Sequence, residues 1–381
     1  MKFIVSITIF ALLLSQAALY GTGSNKPSLK SKYQSGTVEL IPILRINNNS
    51  LPEDQGLSEL TDFAISPNKS IFILDGNQNN IKILSESGTF LKKICQKGAG
   101  PNDLDTPSLI ISNGSQLIVL EIMGNRFSFF SPTGDFQKIV RVPSDLVIKK
   151  IQSLPNGQLV VEREVPGTYR NQTVYCQLDL YSPEAQFKKS ILKVPVNRYK
   201  DVVQPFQVRI NFPFVSDVAW NIAPSGNLVY GFQEHYRVYI LPKTDFSGKP
   251  SSFFHPSERI KITASDKKMV EATYRMMGSN GLQDAPRALL DQISYPNYRP
   301  SIGNIVIDSE NNILVFPWKQ GVTENYDYFD AFDASGKFIN RVKLAAKIKA
   351  PVKIIFTPAN HIWFLTTDDS DERTIVMNEF K

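Results

Sequence analysis

A short hairpin signature recurs along this chain, and it limits the fold more than any other feature. Its first copy lies in residues 61–94, TDFAISPNKSIFILDGNQNNIKILSESGTFLKKI. This stretch parses as a strand (63–66), a tight turn at Pro67-Asn68-Lys69 and a second strand (70–75). A loop, a third strand (81–85), a turn at Gly88 and a fourth strand (90–94) follow. Residues 107–142 repeat the pattern, with turns at Asn113-Gly114 and Thr133-Gly134. The turn and its following strand return as LPNGQLVV (154–161), APSGNLVY (223–230), DSENNILVF (308–316) and TPANHIWFL (357–365). The apolar residue opening the second strand is Ile71, Leu117, Leu159, Leu228, Ile313 and Ile362, at spacings of 46, 42, 69, 85 and 49.

Short runs of β-branched and aromatic residues between turn signals define an all-β chain. A four-stranded unit cannot bury both faces alone, and units of about 40–50 residues stack radially as propeller blades. The expected fold is a six-bladed β-propeller over residues 37–381. The two long spacings carry insertions. Blade 3 has a long loop at 166–173 and a linker at 195–214. Blade 4 is followed by a segment, 263–293, with helical character. Thr263 and Asp266 form a capping-box pattern, and Val270, Tyr274 and Met277 fall on one helical face. A second short helix is expected over 285–293. A seventh blade hidden in the 85-residue spacing is the competing reading, but the helical insert takes the space it needs. The last blade shows only three strands, 352–356, 361–366 and 374–380. The unused run VELIPILRI (38–46) is expected to supply its outer strand and so remove the open edge of the ring.

The chain opens with the three parts of a secretory signal over residues 1–17. These are Lys2, the apolar run 3–14 and the small residues Ser15 and Ala17 before a cut. The run is too short for a membrane helix, which needs about 20 apolar residues. No cysteine lies near the cut for a lipid anchor. Residues 18–36 read as a flexible leader. The expected product is exported, periplasmic or secreted, without a transmembrane anchor, and a monomer. In an oxidising space Cys95 and Cys176 could pair, but they fall on non-adjacent repeats. Asn48, Asn68, Asn113 and Asn171 open N-x-S/T triplets, which matter only in a eukaryotic secretory host.

Lys+Arg exceeds Asp+Glu by 42 − 36 = 6, without a concentrated basic stripe, which excludes a nucleic-acid partner. Three histidines and two cysteines argue against a multi-metal enzyme. GxSxG, HExxH, Walker and Rossmann patterns are all missing. Gly98–Pro101 is not a phosphate cradle, because no helix follows it.

The first blade carries a more specific pattern. Asp75, Asn80-Ile81-Lys82-Ile83 and Gly88 are followed by Lys97-Gly98-Ala99-Gly100-Pro101-Asn102-Asp103 and Pro107. This resembles the NHL-type repeat. With the signal and the helical insert, the chain resembles the exported six-bladed β-propellers common in Gram-negative bacteria such as Bacteroidetes. Tyr295-Pro296-Asn297-Tyr298 and Ile305-Val306-Ile307-Asp308 match that pattern too. The resemblance implies fold and export more than chemistry.

Loops joining second to third strands, and connections between blades, are the longer and more variable ones. In a propeller they emerge on one face, at the mouth of the central channel, so the ligand site is expected there. Its candidates are Asn77, Asn79, Asn102 and Asp103 from blade 1, and Asn125 and Arg126 from blade 2. Blade 3 adds Tyr169 and Arg170, blade 4 Glu234, His235 and Tyr236, and blade 5 Trp318, Glu324 and Tyr326. Amide, charged and aromatic groups together suit a protein, peptide or glycan partner. No cofactor and no catalytic residue are expected. The competing expectation is a lactonase-like hydrolase or lyase dependent on a divalent metal such as Ca2+. Asp75 and Glu121, each ending a second strand, are then its acids.

Overall fold

A computed structural model of the chain describes residues 29–123, 125–143, 147–166, 174–196, 199–202, 208–211, 213–215, 217–244, 246–278, 293–319, 325–349, 351–357, 360–368 and 372–381. The expected second helix and the signal segment therefore lie outside the described residues.

The repeat folds as six four-stranded antiparallel sheets arranged around one axis. Blade 1 comprises Leu60–Ile65, Ile71–Asp75, Asn80–Leu84 and Phe90–Ile94. Blade 2 comprises Pro107–Ser112, Leu117–Glu121, Arg126–Phe130 and Phe136–Arg141, and blade 3 Val147–Ser153, Leu159–Pro166, Val174–Tyr181 and Phe187–Val196. Blade 4 is built from Val218–Ile222, Leu228–Phe232, Arg237–Leu241 and Ser251–Phe254. Blade 5 is Ile302–Ile307, Ile313–Pro317, Asn325–Phe332 and Phe338–Lys349. The six signature turns share one backbone feature. Lys69, Gly157, Gly226, Asn311 and Asn360, each two residues ahead of the signature apolar residue of the second strand, and Gly114, three ahead, take positive φ. Gly and Asn accept that conformation most readily, which is why they recur there.

The second strands read as unbroken apolar runs because both of their faces are covered. Ile71 and Ile73 pack with Trp363 and Leu365 of blade 6. Phe72 and Leu74, pointing the other way, pack with Ile110 and Val119 of blade 2. Successive strand residues face opposite sides, so one strand serves two neighbours. The same sharing links blades 2 with 3, 3 with 4, 4 with 5 and 5 with 6. Each junction therefore holds its own buried cluster, and no blade contains a core of its own.

The ring closes as the unused N-terminal run predicts. Leu40–Ile46 is the outer strand of blade 6, beside Arg373–Phe380, His361–Thr367 and Lys353–Phe356. Leu40 pairs with Phe380 and Ile46 with Ile375. Pro42 falls on the edge of this sheet, where its missing N–H costs no ladder bond. Thr37–Val38 then pairs in parallel with Lys343 and Leu344 of blade 5, so the N-terminal segment ties two blades rather than one.

Two segments are more ordered than their composition suggests. The end of the polar leader (18–36) folds, with Leu29–Gln34 forming a short helix. Tyr33 anchors it, fully buried against the rings of Phe329 and Phe380. One aromatic in a polar stretch is enough here because blades 5 and 6 offer a ready apolar seat. The linker between blades 3 and 4 carries a small hairpin, Tyr199–Val202 with Val208–Asn211. The insert after blade 4 is helical over Ala264–Gly278. Its capping box forms as expected: the Thr263 amide and hydroxyl donate to Asp266 Oδ2 at 2.7 and 2.9 Å, and the Asp266 amide donates back to Thr263 Oγ1 at 3.2 Å. Val270 is buried. Burial works against ionising Asp266, but the Thr263 amide and the Arg299 guanidinium together hold its carboxyl below the usual range.

Candidate functional site

The first strands of all six blades enclose a central cavity of about 890 Å³ that runs from the long-loop face to the tight-turn face. Near the long-loop end these strands place polar side chains at one common level. Asp62, Lys150, Asn304 and Lys353 each lie three residues before the position that pairs with the signature apolar residue of the next strand. All four line the cavity. In three of these strands the level is set by an irregularity just before it, between Leu60 and Asp62, Ile148 and Lys150, and Ile302 and Asn304. Such bulges re-aim side chains.

The four residues are held differently. Lys353 Nζ donates to both oxygens of Asp62, at 2.8 and 3.0 Å, and to the carbonyls of Phe63 (2.8 Å) and Ile110 (3.2 Å). Asp62 in turn accepts from the amides of Phe63 (2.8 Å) and Ile110 (2.9 Å), so one ion pair stitches blades 6, 1 and 2 at the axis. Lys150 Nζ donates to the carbonyl of Trp220 at 2.5 Å and lies 4.5 Å from the centre of its indole ring. Glu162, the cross-strand partner of Lys150, accepts from Trp220 Nε1 at 2.8 Å. Burial lowers the Lys150 ammonium to about 8; the Glu162 carboxylate opposes this and the Lys353 charge adds to it. Asp217 also lines the cavity, and oxygens of Glu162 and Asp217 and the Cys176 sulfur lie within 4.8 Å of one another.

A second polar layer sits one strand pair further out. Lys82, Ser128, Asp179 and Asp330 occupy the same register position on the third strands of blades 1, 2, 3 and 5, and all are buried. Lys82 Nζ bonds Asp75 at 2.9 Å with both side chains wholly buried. Burial lowers the Lys82 ammonium and the Asp75 carboxylate pulls it back up. Glu121 accepts from Arg126 at 2.8 Å and Ser128 at 2.5 Å. In blade 3 the polarity reverses, with Arg163 donating to Asp179 at 2.5 Å. Asp330 accepts from Arg341 and from the Tyr236 hydroxyl.

The acids singled out in the sequence belong to this layer. Besides Lys82, the Asp75 carboxylate accepts from the amides of Ser58 (2.8 Å), Glu59 (3.2 Å) and Gln78 (3.0 Å). Glu121 accepts from the Asp105 amide at 2.6 Å. Both therefore fix the connection that enters their own blade, and both hold a side-chain cation.

The loop candidates divide into two groups. Asn79, Arg126, Tyr236 and Tyr326 are buried. Asn79 Oδ1 accepts from the Thr106 amide at 2.8 Å, and Arg126 donates to the carbonyls of Ala99 and Asp103 at 3.0 Å. Tyr326 packs against Phe316, and burial raises its hydroxyl to about 12. Asn102 and Asn125 take positive φ, and Asp103 Oδ2 accepts from the Gly100 amide, so these three shape their loops. Asn77, Glu234 and His235 are exposed, and Trp318, half-buried, packs on Phe214. Glu234, His235 and Tyr236 line a separate pocket of about 460 Å³ with Tyr239, Phe254 and Arg259. Tyr169, Arg170 and Glu324 lie outside the described residues. None of the described loop candidates lines the central cavity. Cys95 and Cys176 are not joined by a disulfide.

The sequence pattern of the DUF5128 family, described as "6-bladed beta-propeller", matches residues 57–196. The chain is a six-bladed β-propeller. A member of the duf4221 family from Bacteroides vulgatus has the same fold at 11% identity, covering 91% of this propeller and 99% of its own chain with a TM-score of 0.51. Two other solved structures are alike at lower scores. One, described as an exported protein of Bacteroides fragilis, is 14% identical, with coverage of 90% and 95% and a TM-score of 0.49. The other, a calcium-binding regucalcin from Agrobacterium tumefaciens, is 12% identical, with coverage of 90% and 94% and a TM-score of 0.47. No curated protein matches the propeller. Among the described residues, no helix is long and apolar enough to cross a membrane.

Proposed function

We propose that this propeller is an exported binding module that takes the end of a glycan or peptide into its central cavity from the long-loop face. The observation that carries the reading is the polar level of Asp62, Lys150, Asn304 and Lys353 around a cavity of about 890 Å³. That volume lies within the ordinary range of ligand pockets, which combine apolar walls with a few placed polar groups. Positions on first strands are also rigid, as a preorganised site requires. Exposed loop residues such as Asn77, Glu234 and His235 then form the outer rim.

Occlusion tests this reading. Asn304→Phe places a ring in the cavity from a half-buried position. The expected result is loss of capture from a panel of short oligosaccharides and peptides, with the melting temperature within about 2 °C of the parent. Capture that survives occlusion but fails after changes at the rim contradicts it.

A metal-dependent hydrolase or lyase is the second reading, favoured by the clustering of Glu162, Cys176 and Asp217. A thiol beside two carboxylates suits a zinc-like ion better than calcium, which takes oxygen ligands. Elemental analysis of the purified protein decides it. A stoichiometric divalent ion supports this reading, and its absence together with a melting point unchanged by chelator removes it.

A further inference from the structure

We propose that the outer pocket of blade 4 is a second ligand site, and that it takes a carboxylate carried on a ring, from either an acidic sugar or an aromatic acid. This goes beyond the reading of the central cavity and does not depend on it.

Strand pairing builds one wall of the pocket. Phe232, Arg237 and Phe254 are partners across three adjacent strands of blade 4, so their side chains share one face of the sheet in a single row. Tyr239, two residues beyond Arg237, lies on the same face. Its ring stacks on Tyr230 at 5.0 Å and meets Phe232 at 5.7 Å near a right angle, which fixes the rings. Phe254 ends the outer strand 61% exposed. All four line the pocket of about 460 Å³. A guanidinium in a row with two aromatic rings, one of them open to water, presents a flat apolar surface with a cation at its centre.

A second guanidinium joins this lining, that of Arg259. The chain beside it is held by short pairing: the Arg299 amide donates to the Ile260 carbonyl at 2.8 Å, and the Ile262 amide to the Asn297 carbonyl at 3.2 Å. The Arg259 guanidinium lies over the Tyr298 ring, 4.2 Å from its centre. Stacking occupies the face of a guanidinium and leaves its N–H edge, the fork that matches a carboxylate.

Elsewhere the propeller gives its arginines acids. Arg126, Arg163, Arg299 and Arg341 donate to the buried carboxylates of Glu121, Asp179, Asp266 and Asp330. Among the described residues, Arg237 and Arg259 have no such partner. Glu234 is the one acid among the described lining residues, and it lies 3.9 Å from His235 Nε2. Two guanidinium groups against one carboxylate leave a single positive charge. A ligand carboxylate matches that charge and the fork geometry, whereas a phosphate dianion exceeds it.

The test is ligand-observed NMR titration of the full chain with methyl glucuronide, benzoate and their neutral counterpart methyl glucoside. A ligand of this size is expected to bind with a Kd of about 1 mM, too weak for capture and so separate from the occlusion test. Methyl glucoside should bind at least about tenfold more weakly. The tighter of the two acids identifies the source, sugar or aromatic. Arg237→Gln, at an exposed position, should weaken the acids about tenfold without moving the melting temperature, and Glu234→Gln should strengthen them a few-fold. Methyl glucoside binding as well as the glucuronide, phenyl phosphate binding more tightly than benzoate, or an unchanged Kd in Arg237→Gln overturns the proposal. Asn304→Phe should leave the Kd unaltered. If it weakens the acids while Arg237→Gln does not, the outer site falls and the probe belongs to the cavity.

Discussion

A chain beginning at residue 47 is expected not to fold cooperatively. The truncation removes the outer strand of blade 6, its parallel extension onto blade 5 and the Tyr33 anchor. Tyr33, Val38 and Ile46 are each at most 1% exposed. At about 1.5–3 kcal/mol for each buried side chain, these three alone supply about 5–9 kcal/mol. A whole domain is stable by only about 5–15 kcal/mol. The truncation also bares the edge of Arg373–Phe380, and such edges pair with other chains. Circular dichroism and light scattering should therefore show a broad or missing transition and aggregation. A synthetic peptide of residues 29–46 should restore a sharp transition when added during refolding. A truncated chain with the parent's melting point would contradict the closure.

The second large effect is expected at Asp75. Asp75→Ala leaves the wholly buried Lys82 ammonium with only the side-chain oxygens of Gln78 and Asn80. It also frees the amides of Ser58, Glu59 and Gln78. Breaking a buried pair from one side costs about 3–5 kcal/mol, so thermal unfolding should move down by about 10 °C. Lys82→Met should cost less, because Asp75 keeps its three amide donors while the buried ammonium is replaced by an apolar chain of similar length. Equal melting points for the two variants would show that the loop amides, rather than the ion pair, carry little of the stability.

Much of the ring was legible because its causes are local. A second strand covered on both faces must be apolar at every position, and IFIL, LIVL and ILVF say so directly. A turn with positive φ favours Gly or Asn, and most of the six turns carry one. The closing strand was found by subtraction, since one blade lacked a strand and one apolar run lacked a blade. The buried end of the leader was not legible, because Tyr33 gains its seat only from residues some 300 positions away.

The site was legible in a different measure. Loop polarity marks a residue as polar without saying which way it points, so Asn77 stays exposed while Asn79 and Arg126 turn inward to bond backbone groups. Lys150 lies in VIKKIQS, which reads as an ordinary half-exposed strand. What singles it out is Trp220, 70 residues on, and that contact exists only once blades 3 and 4 meet. Asp62 and Lys353 are equally silent until the ring closes. A further signal lies in the third strands: charged residues set inside otherwise apolar runs, Lys82 in NIKIL, Asp179 in QLDLY and Asp330 in YFDAF, announce a repeated buried polar layer.

The most direct measurement is an experimental structure of the protein purified from its own source, with whatever ligand it retains. The binding account predicts density within the ring of first strands, in hydrogen-bond reach of Lys150 or Asn304 and open to the long-loop face. A cavity holding only ordered water, with the ligand seated instead in the outer pocket beside Tyr239 and Phe254, would contradict it.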